Sequence, residues 1–290
     1  MKITPFEASL GADVEDVDLA AIGDDDFEAL YAAWLERGVL RIRNQSLDDR
    51  QLEVFSSQFG PLEEIPVRLT PEERERIPSL FVTVLSNIRV NGAPIGGLSN
   101  VEAAWHSDMT FSETPPPASI LYSIEIPEVG GNTQFACQEN ALAALPTALR
   151  ERLSGLSIKH DATHTSIGKL RHGYEAIDDV REVPGAIHPI VKRHAETGRD
   201  NLFLGRRDYA YVTGLPVEQS EALLDELWRY AALPKNVWTQ HWQVGDVIIW
   251  DNRRVLHRRD EFDPDARRLL KRCQVLAREP RAQHYERHGE

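Results

Sequence analysis

Apolar positions near the start of the chain recur with the spacing of an amphipathic helix. In the segment "DDDFEALYAAWLERG" one face carries Phe27, Leu30, Tyr31, Trp34 and Leu35. Acidic residues at its start and Gly38 at its end are typical of helix termini. A strand over residues 39–43 is predicted next, followed by a second helix that Ser46 caps and Gly60 ends.

The middle of the chain changes to alternating apolar and β-branched residues, a pattern typical of strands. Strands are predicted in "SLFVTVLSNIRV", around "AAWHSDMTF", in "ASILYSIEIP" and in "TQFAC". The same pattern returns in "NVWTQHWQVGDVIIWD" and "RRLLKRCQVLAR". The predicted fold class is therefore mainly β with flanking helices, and we expect the helices to pack outside a central sheet.

The segment between these β-rich regions has two helical patterns and one weakly patterned stretch. "NALAALPTALRERLSGL" is predicted to be helical despite Pro146, and "PVEQSEALLDELWRYAAL" is a strong amphipathic helix with Pro216 in its first turn. Residues 157–210 are polar and irregular, which is uncommon unless such a stretch forms a lid or binding loop. We expect this insertion to face a substrate. Without repeats or linkers, residues 1–290 are predicted to form a single domain.

Composition narrows the classes of partner. The 290 residues include 33 Lys and Arg against 46 Asp and Glu, a net charge of −13. A field of this sign repels phosphate backbones and anionic membrane surfaces, so we expect neither nucleic acid nor membrane as a partner. Cys137 and Cys273 are too few for a disulfide framework, and the N-terminus lacks the apolar core of a secretory signal. A cytoplasmic location is expected.

The stretch "AAWHSDMTF" carries candidate metal ligands. His106 and Asp108 would project from the same face of a strand, because successive side chains alternate between faces. An ordinary hydrogen-bonded pair is the alternative interpretation. A later histidine, His257, would complete the two-histidine, one-carboxylate triad that holds non-haem iron and leaves positions open for co-substrate and oxygen.

Four motifs in the sequence resemble those of a known family. "WHSDMTF", "GGNTQFA", "GDVIIWDNRRVLH" and "RRLLKRCQV" occur in that order, and the chain resembles the TauD/TfdA family of Fe(II)/2-oxoglutarate-dependent dioxygenases over nearly its whole length. The resemblance implies a double-stranded β-helix, a jelly-roll barrel with the metal at its open mouth. We also expect a homo-oligomer, either a dimer or a tetramer.

The resemblance assigns roles to individual residues. The residues that match the family's iron ligands are His106, Asp108 and His257. Thr133 and Arg268 match the residues that bind the far carboxylate of 2-oxoglutarate, and Arg272 lies where taurine oxygenases hold the anionic group of the substrate. Arginine suits both positions because its planar fork grips a carboxylate with two parallel bonds. A structural or solvated role is the alternative for Arg272.

The activity implied by the resemblance is oxidation of a substrate C–H bond with O2, which releases succinate and CO2 from 2-oxoglutarate. Asp108 favours a hydroxylase, because related halogenases have a small residue there. Residues 60–80 lack the histidine and tyrosine with which taurine enzymes recognise the sulfonate, so taurine is a doubtful substrate. We expect a small anionic substrate, bound with help from the insertion and from residues 86–102.

Two other hypotheses remain open at this point. The chain could be a non-catalytic barrel or sensor that binds a small anion in a retained pocket. His160 and His164 also have the i, i+4 spacing of a helical zinc site, but the threonines, serine and glycine of "HDATHTSIG" are poor helix formers. We interpret Trp105, Trp242 and Trp250 as packing residues of the barrel.

Overall fold

The computed structural model of the protein describes residues 1–65, 77–97 and 100–277. The α-helices of these residues are α1 (Asp24–Arg37), α2 (Asp49–Ser57), α3 (Gln138–Ala143), α4 (Thr147–Arg152) and α5 (Val217–Ala231). None of these described helices is long and apolar enough to cross a membrane.

Strands make up most of the remaining regular structure. In chain order they are β1 (Lys2–Pro5), β2 (Ala12–Glu15), β3 (Val39–Ile42), β4 (Thr83–Ser86), β5 (Arg89–Val90), β6 (Ala93–Pro94), β7 (Ala103–His106), β8 (Ala118–Glu125), β9 (Thr133–Cys137), β10 (Ser157–Lys159), β11 (Ile187–Pro189), β12 (Val191–Arg193), β13 (Asp200–Leu202), β14 (Tyr211–Val212), β15 (Val237–Gln240), β16 (Val247–Asp251), β17 (Val255–Arg259) and β18 (Leu269–Val275). The prediction of a mainly β fold with a few outer helices is confirmed.

Two sheets position the functional residues. The larger has the strand order β1-β2-β3-β16-β8-β18-β4, and the smaller has the order β15-β9-β17-β7. Their facing side chains, among them Phe135, Leu121, Ile248 and Leu270, share one buried apolar cluster. Burial of such surface stabilises by about 25 cal/mol per Å², so this cluster holds the sheets against each other. Closure of the two sheets into a jelly-roll barrel stays a prediction.

The helices cover the outer faces of this β-structure. Phe27, Leu30 and Trp34 of α1 pack with Leu52 and Phe55 of α2 in the cluster that covers the larger sheet. The apolar stripe of α5 packs in a second cluster against α3, α4 and the smaller sheet. Helical spacing of apolar residues therefore predicted both layers correctly.

Local chain chemistry sets the ends of these helices. Gly38 ends α1 with φ 75°, a left-handed conformation that glycine adopts without a steric penalty. The prediction of Ser46 as the cap of α2 is wrong. Asp48 caps the helix instead, because its carboxylate accepts from the Gln51 N–H while the Gln51 side chain accepts from the Asp48 N–H.

The stretch on either side of Pro146 differs from its prediction. Proline has no N–H to continue a helix, and the single predicted helix is two, with Pro146 as the residue that precedes α4. The prediction that residues 157–210 are irregular is also wrong in part. They contain β10 to β13, which are each three residues long and pair as β10-β11 and β12-β13.

Candidate active site

Two histidines meet across neighbouring strands of the smaller sheet. β17 pairs antiparallel with β7, and in this register His257 is the direct partner of His106. Directly opposed residues project from the same face of a sheet, and the two ring centroids are 4.2 Å apart. Strand pairing therefore brings together two residues that are distant in sequence.

Asp108 also lies beside the two histidines, but it does not belong to a strand. β7 ends at His106, so Asp108 lies in the turn beyond it, and the interpretation that both project from one strand is wrong for Asp108. The buried Asn252 side chain holds this turn. It accepts from the Asp108 N–H at 2.7 Å and donates to the Asp108 carbonyl at 2.8 Å. Ser119 Oγ donates to Asp108 Oδ2 at 3.1 Å, which orients the carboxylate.

The three side chains form a compact donor set. One ligand atom from each of His106, Asp108 and His257 lies within 4.8 Å of the others. The Nε2 atoms of His106 and His257 are 3.7 and 3.8 Å from Asp108 Oδ1. Two imidazole nitrogens and one carboxylate oxygen suit Fe(II), so the residues fit the metal that the sequence motifs imply.

The protonation of this donor set also suits a metal. Burial lowers the pKa of His106, and burial together with His106 lowers the pKa of His257 to about 3, which leaves both rings neutral. Burial opposes ionisation of Asp108, but His257 and Arg272 outweigh it and lower the pKa of Asp108. His106 Nδ1 lies 2.8 Å from the Ala104 carbonyl, so it donates there and its Nε2 lone pair faces the site.

Arg268 is a buried cation directly before β18. It is 2% exposed and lines the cavity beside the donor set. Its Nη2 donates to the Gly131 carbonyl at 3.3 Å, and its Nε has no partner among the described residues. Burial and the neighbouring Arg259 lower its pKa to about 9. A buried guanidinium of this kind needs an anionic partner, and a ligand carboxylate would supply one.

Thr133 begins β9 and lines the same cavity. Its hydroxyl oxygen accepts from Trp242 Nε1 at 3.1 Å. This bond uses a lone pair and leaves the hydroxyl proton for a ligand, so Thr133 can donate to an anion. Trp242 therefore orients a functional side chain, a role that its interpretation as a packing residue missed.

Arg272 lies on β18 and faces the cavity from the larger sheet. Its Nη1 is 4.0 Å from Asp108 Oδ2, and its Nε is buried without a hydrogen-bond partner in the described part of the chain. The side chain is 25% exposed, which leaves it open to a ligand. Arg268 and Arg272 thus present separate guanidinium groups to one cavity.

The cavity itself measures about 570 Å³, room for both a co-substrate and a small organic molecule. Apart from the residues above, the insertion supplies much of its lining, with His160, Asp161, Thr165, Ser166, Arg171, Arg206 and Asp208. Residues 98–99, which belong to the predicted pocket wall, lie outside the described residues, as do residues 66–76 of the 60–80 stretch.

The HDATH segment does not form a helical zinc site. His160 and His164 lie outside any helix, and His164 pairs through Nδ1 with Asp161 Oδ2 at 3.1 Å. His164 also stacks on Tyr209 at 3.8 Å. Among the described residues, the one group of three possible ligands is the His106, Asp108 and His257 set.

Sequence reasoning missed the residues that hold the ligands in place. Asn252 follows β16 in the quoted "WDNRRVLH" motif, so a signal was available, but nothing local to that motif shows that it reaches Asp108. Ser119 lies in an apolar strand, where a lone polar residue at a buried position is itself a signal.

The chain is similar in sequence to known proteins over nearly its whole length. The family model for the taurine catabolism dioxygenase TauD, TfdA family matches residues 2–274. The (S)-phenoxypropionate/alpha-ketoglutarate-dioxygenase of Sphingobium herbicidovorans is 32% identical over 282 residues, which cover 92% of each chain. The alpha-ketoglutarate-dependent 2,4-dichlorophenoxyacetate dioxygenase of Cupriavidus pinatubonensis is 32% identical over 94% of this chain and 96% of its own.

The fold of the chain is also similar to the folds of solved structures. A taurine dioxygenase from Burkholderia xenovorans superposes with a TM-score of 0.76 at 29% identity, over 96% of this chain and 89% of its own. AAD-2, solved with Mn(II) and N-oxalylglycine, also has a TM-score of 0.76, at 23% identity, and covers 96% of this chain and 98% of its own. The latter likeness concerns the fold alone.

Proposed function

The chain belongs to the TauD, TfdA family and is an alpha-ketoglutarate-dependent dioxygenase, and we propose that it hydroxylates a C–H bond of a small organic anion bound by Arg272. Its family relatives are enzymes, so the hypothesis of a non-catalytic barrel is not favoured. The observation that carries the proposal is the position of Arg272, a cavity-facing guanidinium 4.0 Å from Asp108.

We propose the following division of roles around the cavity. His106, Asp108 and His257 hold Fe(II), and Thr133 and Arg268 bind the far carboxylate of 2-oxoglutarate. Bound Fe(II) supplies the oxidising chemistry with O2, while 2-oxoglutarate leaves as succinate and CO2. Support comes from the neutral imidazoles, the free hydroxyl proton of Thr133 and the buried charge of Arg268.

Arg272 orients the substrate. A charge-assisted pair between its guanidinium and a substrate anion would fix one end of the molecule beside the Asp108 carboxylate. Such an anchor would hold one particular C–H bond of the substrate beside the metal ligands. This positioning would accelerate the reaction, because the reacting groups are already in place. Leu121 and Trp250 provide apolar surface around the bound molecule and help to exclude water.

We propose a carboxylate as the anion and an aryloxyalkanoate as the substrate class. Two relatives that are 32% identical act on phenoxypropionate and on 2,4-dichlorophenoxyacetate, and the cavity has room for a ring beside 2-oxoglutarate. The absence of a histidine and a tyrosine from residues 60–80 of the sequence supports a substrate other than taurine.

The test measures succinate release by the protein loaded with Fe(II), 2-oxoglutarate and O2. The candidates are phenoxypropionate, 2,4-dichlorophenoxyacetate, taurine and a short alkyl sulfate. We expect release with the aryloxy acids, and Arg272→Leu should raise their KM while it leaves 2-oxoglutarate binding nearly intact. Lys271→Leu is the matched control, because Lys271 pairs with Asp49 away from the cavity. Release with taurine alone would contradict the proposed substrate class.

Three expectations from the sequence keep the status of predictions. We propose that residues 1–290 act as one domain, that the protein forms a homo-oligomer, and that it resides in the cytoplasm. Buried, unpaired Cys137 and Cys273 support a reducing compartment. Ultracentrifugation would test the oligomer.

A further inference from the structure

Three of the polar side chains that the insertion places on the cavity lie close together, and the proposed iron and 2-oxoglutarate sites do not use them. They are His160, Asp161 and Arg206, and we refer to them as the insertion wall. His160 and Asp161 are buried, and the Arg206 side chain is 14% exposed. Polar groups buried at a cavity are costly unless a partner satisfies them.

His160 is the clearest unsatisfied group. It is 2% exposed, and neither ring nitrogen has a hydrogen-bond partner among the described residues. Burial, with a smaller contribution from His188, lowers its pKa to about 3, so the imidazole is neutral. A neutral imidazole has one N–H donor and one acceptor nitrogen, and both are buried and unpaired within the described residues.

A glycine allows the ring to take this position. Gly205 has φ 66°, and a Cβ atom there would lie 2.2 Å from His160 Nδ1 and 2.7 Å from Thr110 Oγ1. Any side chain would therefore displace the imidazole or the Thr110 hydroxyl, both of which line the cavity. The missing side chain at Gly205 therefore leaves the space that His160 and Thr110 occupy beside the cavity.

Arg206 lies beside His106, with which its backbone forms an isolated β-bridge. Its Nη2 donates to Asp161 Oδ2 at 2.5 Å and its Nη1 donates to the His164 carbonyl at 3.0 Å. Its Nε is buried and has no partner within the described part of the chain. The guanidinium is thus held rigidly by two hydrogen bonds, while its buried Nε–H is unpaired.

Charge on this side of the cavity is balanced. Asp161 neutralises Arg206, and Thr163 and His164 also donate to the Asp161 carboxylate, which fixes it in place. Arg171 and Asp208 add one further charge of each sign. A second anion would meet the Asp161 carboxylate as well as Arg206, whereas a neutral oxygen would accept hydrogen bonds without that repulsion.

We propose that the insertion wall is a second recognition site, which binds a neutral oxygen acceptor, such as a ketone or ether, on a substrate whose anion binds Arg272. The inference rests on the proposed function and narrows its substrate class. The enzyme prefers monoanions that carry an uncharged hydrogen-bond acceptor at a distance from the anionic group. It binds monoanions without such an acceptor, and dianions, less tightly.

The test compares three phenylacetates of nearly equal shape that carry a para-isopropyl, para-acetyl or para-carboxyl group. Binding is measured by calorimetry without O2 on the protein loaded with Fe(II) and 2-oxoglutarate. We expect the acetyl compound to bind about tenfold more tightly than the isopropyl compound, the effect of one satisfied buried hydrogen bond. It should also bind more tightly than the carboxyl compound.

Single substitutions test whether the preference for the acetyl compound depends on the insertion wall. Arg206→Met should remove most of the preference for the acetyl compound, whereas Arg207→Met should preserve it, because Arg207 pairs with Glu221 and Asp225 of α5. The nearly isosteric Asp161→Asn removes the balancing charge, so the carboxyl compound should then bind more tightly than the acetyl compound.

Equal affinities of the wild-type protein for the acetyl and isopropyl compounds would overturn the inference. So would an unchanged preference in Arg206→Met. The proposed function fails by a different result: if Arg272→Leu leaves all three affinities unchanged, the anion does not bind at Arg272, whatever the insertion wall prefers.

Discussion

The two sides of the cavity are built differently. On the sheet side, His106 and His257 are direct partners in a ladder. Arg268 directly precedes β18, and Arg272 lies within that strand. On the insertion side, strands of three residues support a network of single polar contacts. The sheet side therefore suits chemistry that needs fixed geometry, and the insertion side suits recognition that can change through a few substitutions.

The largest expected effect comes from the sheet side. His257→Ala removes one of three proposed metal anchors, so we expect it to abolish turnover and to lower bound iron in metal analysis. His164→Ala, on the insertion side, should keep its iron. Iron lost from His164→Ala and retained in His257→Ala would reverse the roles of the two sides.

Arg268→Leu should have the next largest effect. It removes the proposed partner of the 2-oxoglutarate carboxylate and should weaken 2-oxoglutarate binding by about 2 to 5 kcal/mol, measured by titration without O2. Arg267→Leu is a neighbouring control, because Arg267 is exposed and pairs with Glu125. Equal losses in the two variants would show that strand disruption, rather than the carboxylate partner, explains the effect.

Asn252→Ala tests a residue on the sheet side that holds the metal ligand Asp108 in place without binding the metal itself. Loss of its bonds to the Asp108 backbone should lower iron affinity by roughly ten- to a hundredfold, the usual range for groups that orient metal ligands. Ser119→Ala removes a single bond to the Asp108 carboxylate and should lower iron affinity less. Wild-type iron affinity in Asn252→Ala would mean that the turn holds Asp108 without it.

Trp242→Phe should have the smallest effect. It removes the hydrogen bond that orients the Thr133 hydroxyl, and we expect 2-oxoglutarate binding to weaken by about 1 kcal/mol. Trp238→Phe is the control, because Trp238 stacks on Phe6 at 4.4 Å. A loss in the Trp238 variant as large as that in the Trp242 variant would contradict the orienting role.

The sequence predicted the two sides unequally. Apolar periodicity located α1, α5 and the main strands, because those elements bury a continuous face. The motifs also pointed to His106, Asp108 and His257 as metal ligands. The position of Asp108 could not be predicted from strand alternation, since it depends on a contact with Asn252 from 144 residues away.

The short strands of the insertion escaped prediction for a related reason, although the insertion itself was predicted to face a substrate. Its strands are too short to show a period, and their order depends on tertiary pairs such as His194 with Asp251 at 2.9 Å. Individual polar contacts carry no repeating signal in a sequence. Their partners become visible only when the chain is folded, so the recognition role that we propose for Arg206 and His160 could not be predicted.

The most direct test of the proposed function is a coupled measurement of O2 uptake and succinate formation by the protein with an aryloxyalkanoate. We predict equal amounts of both, and loss of both when either Fe(II) or 2-oxoglutarate is left out or when Asp108 is replaced by alanine. Oxygen uptake and succinate formation that persist in Asp108→Ala, or that never respond to any organic anion, would contradict the proposed site and its substrate class.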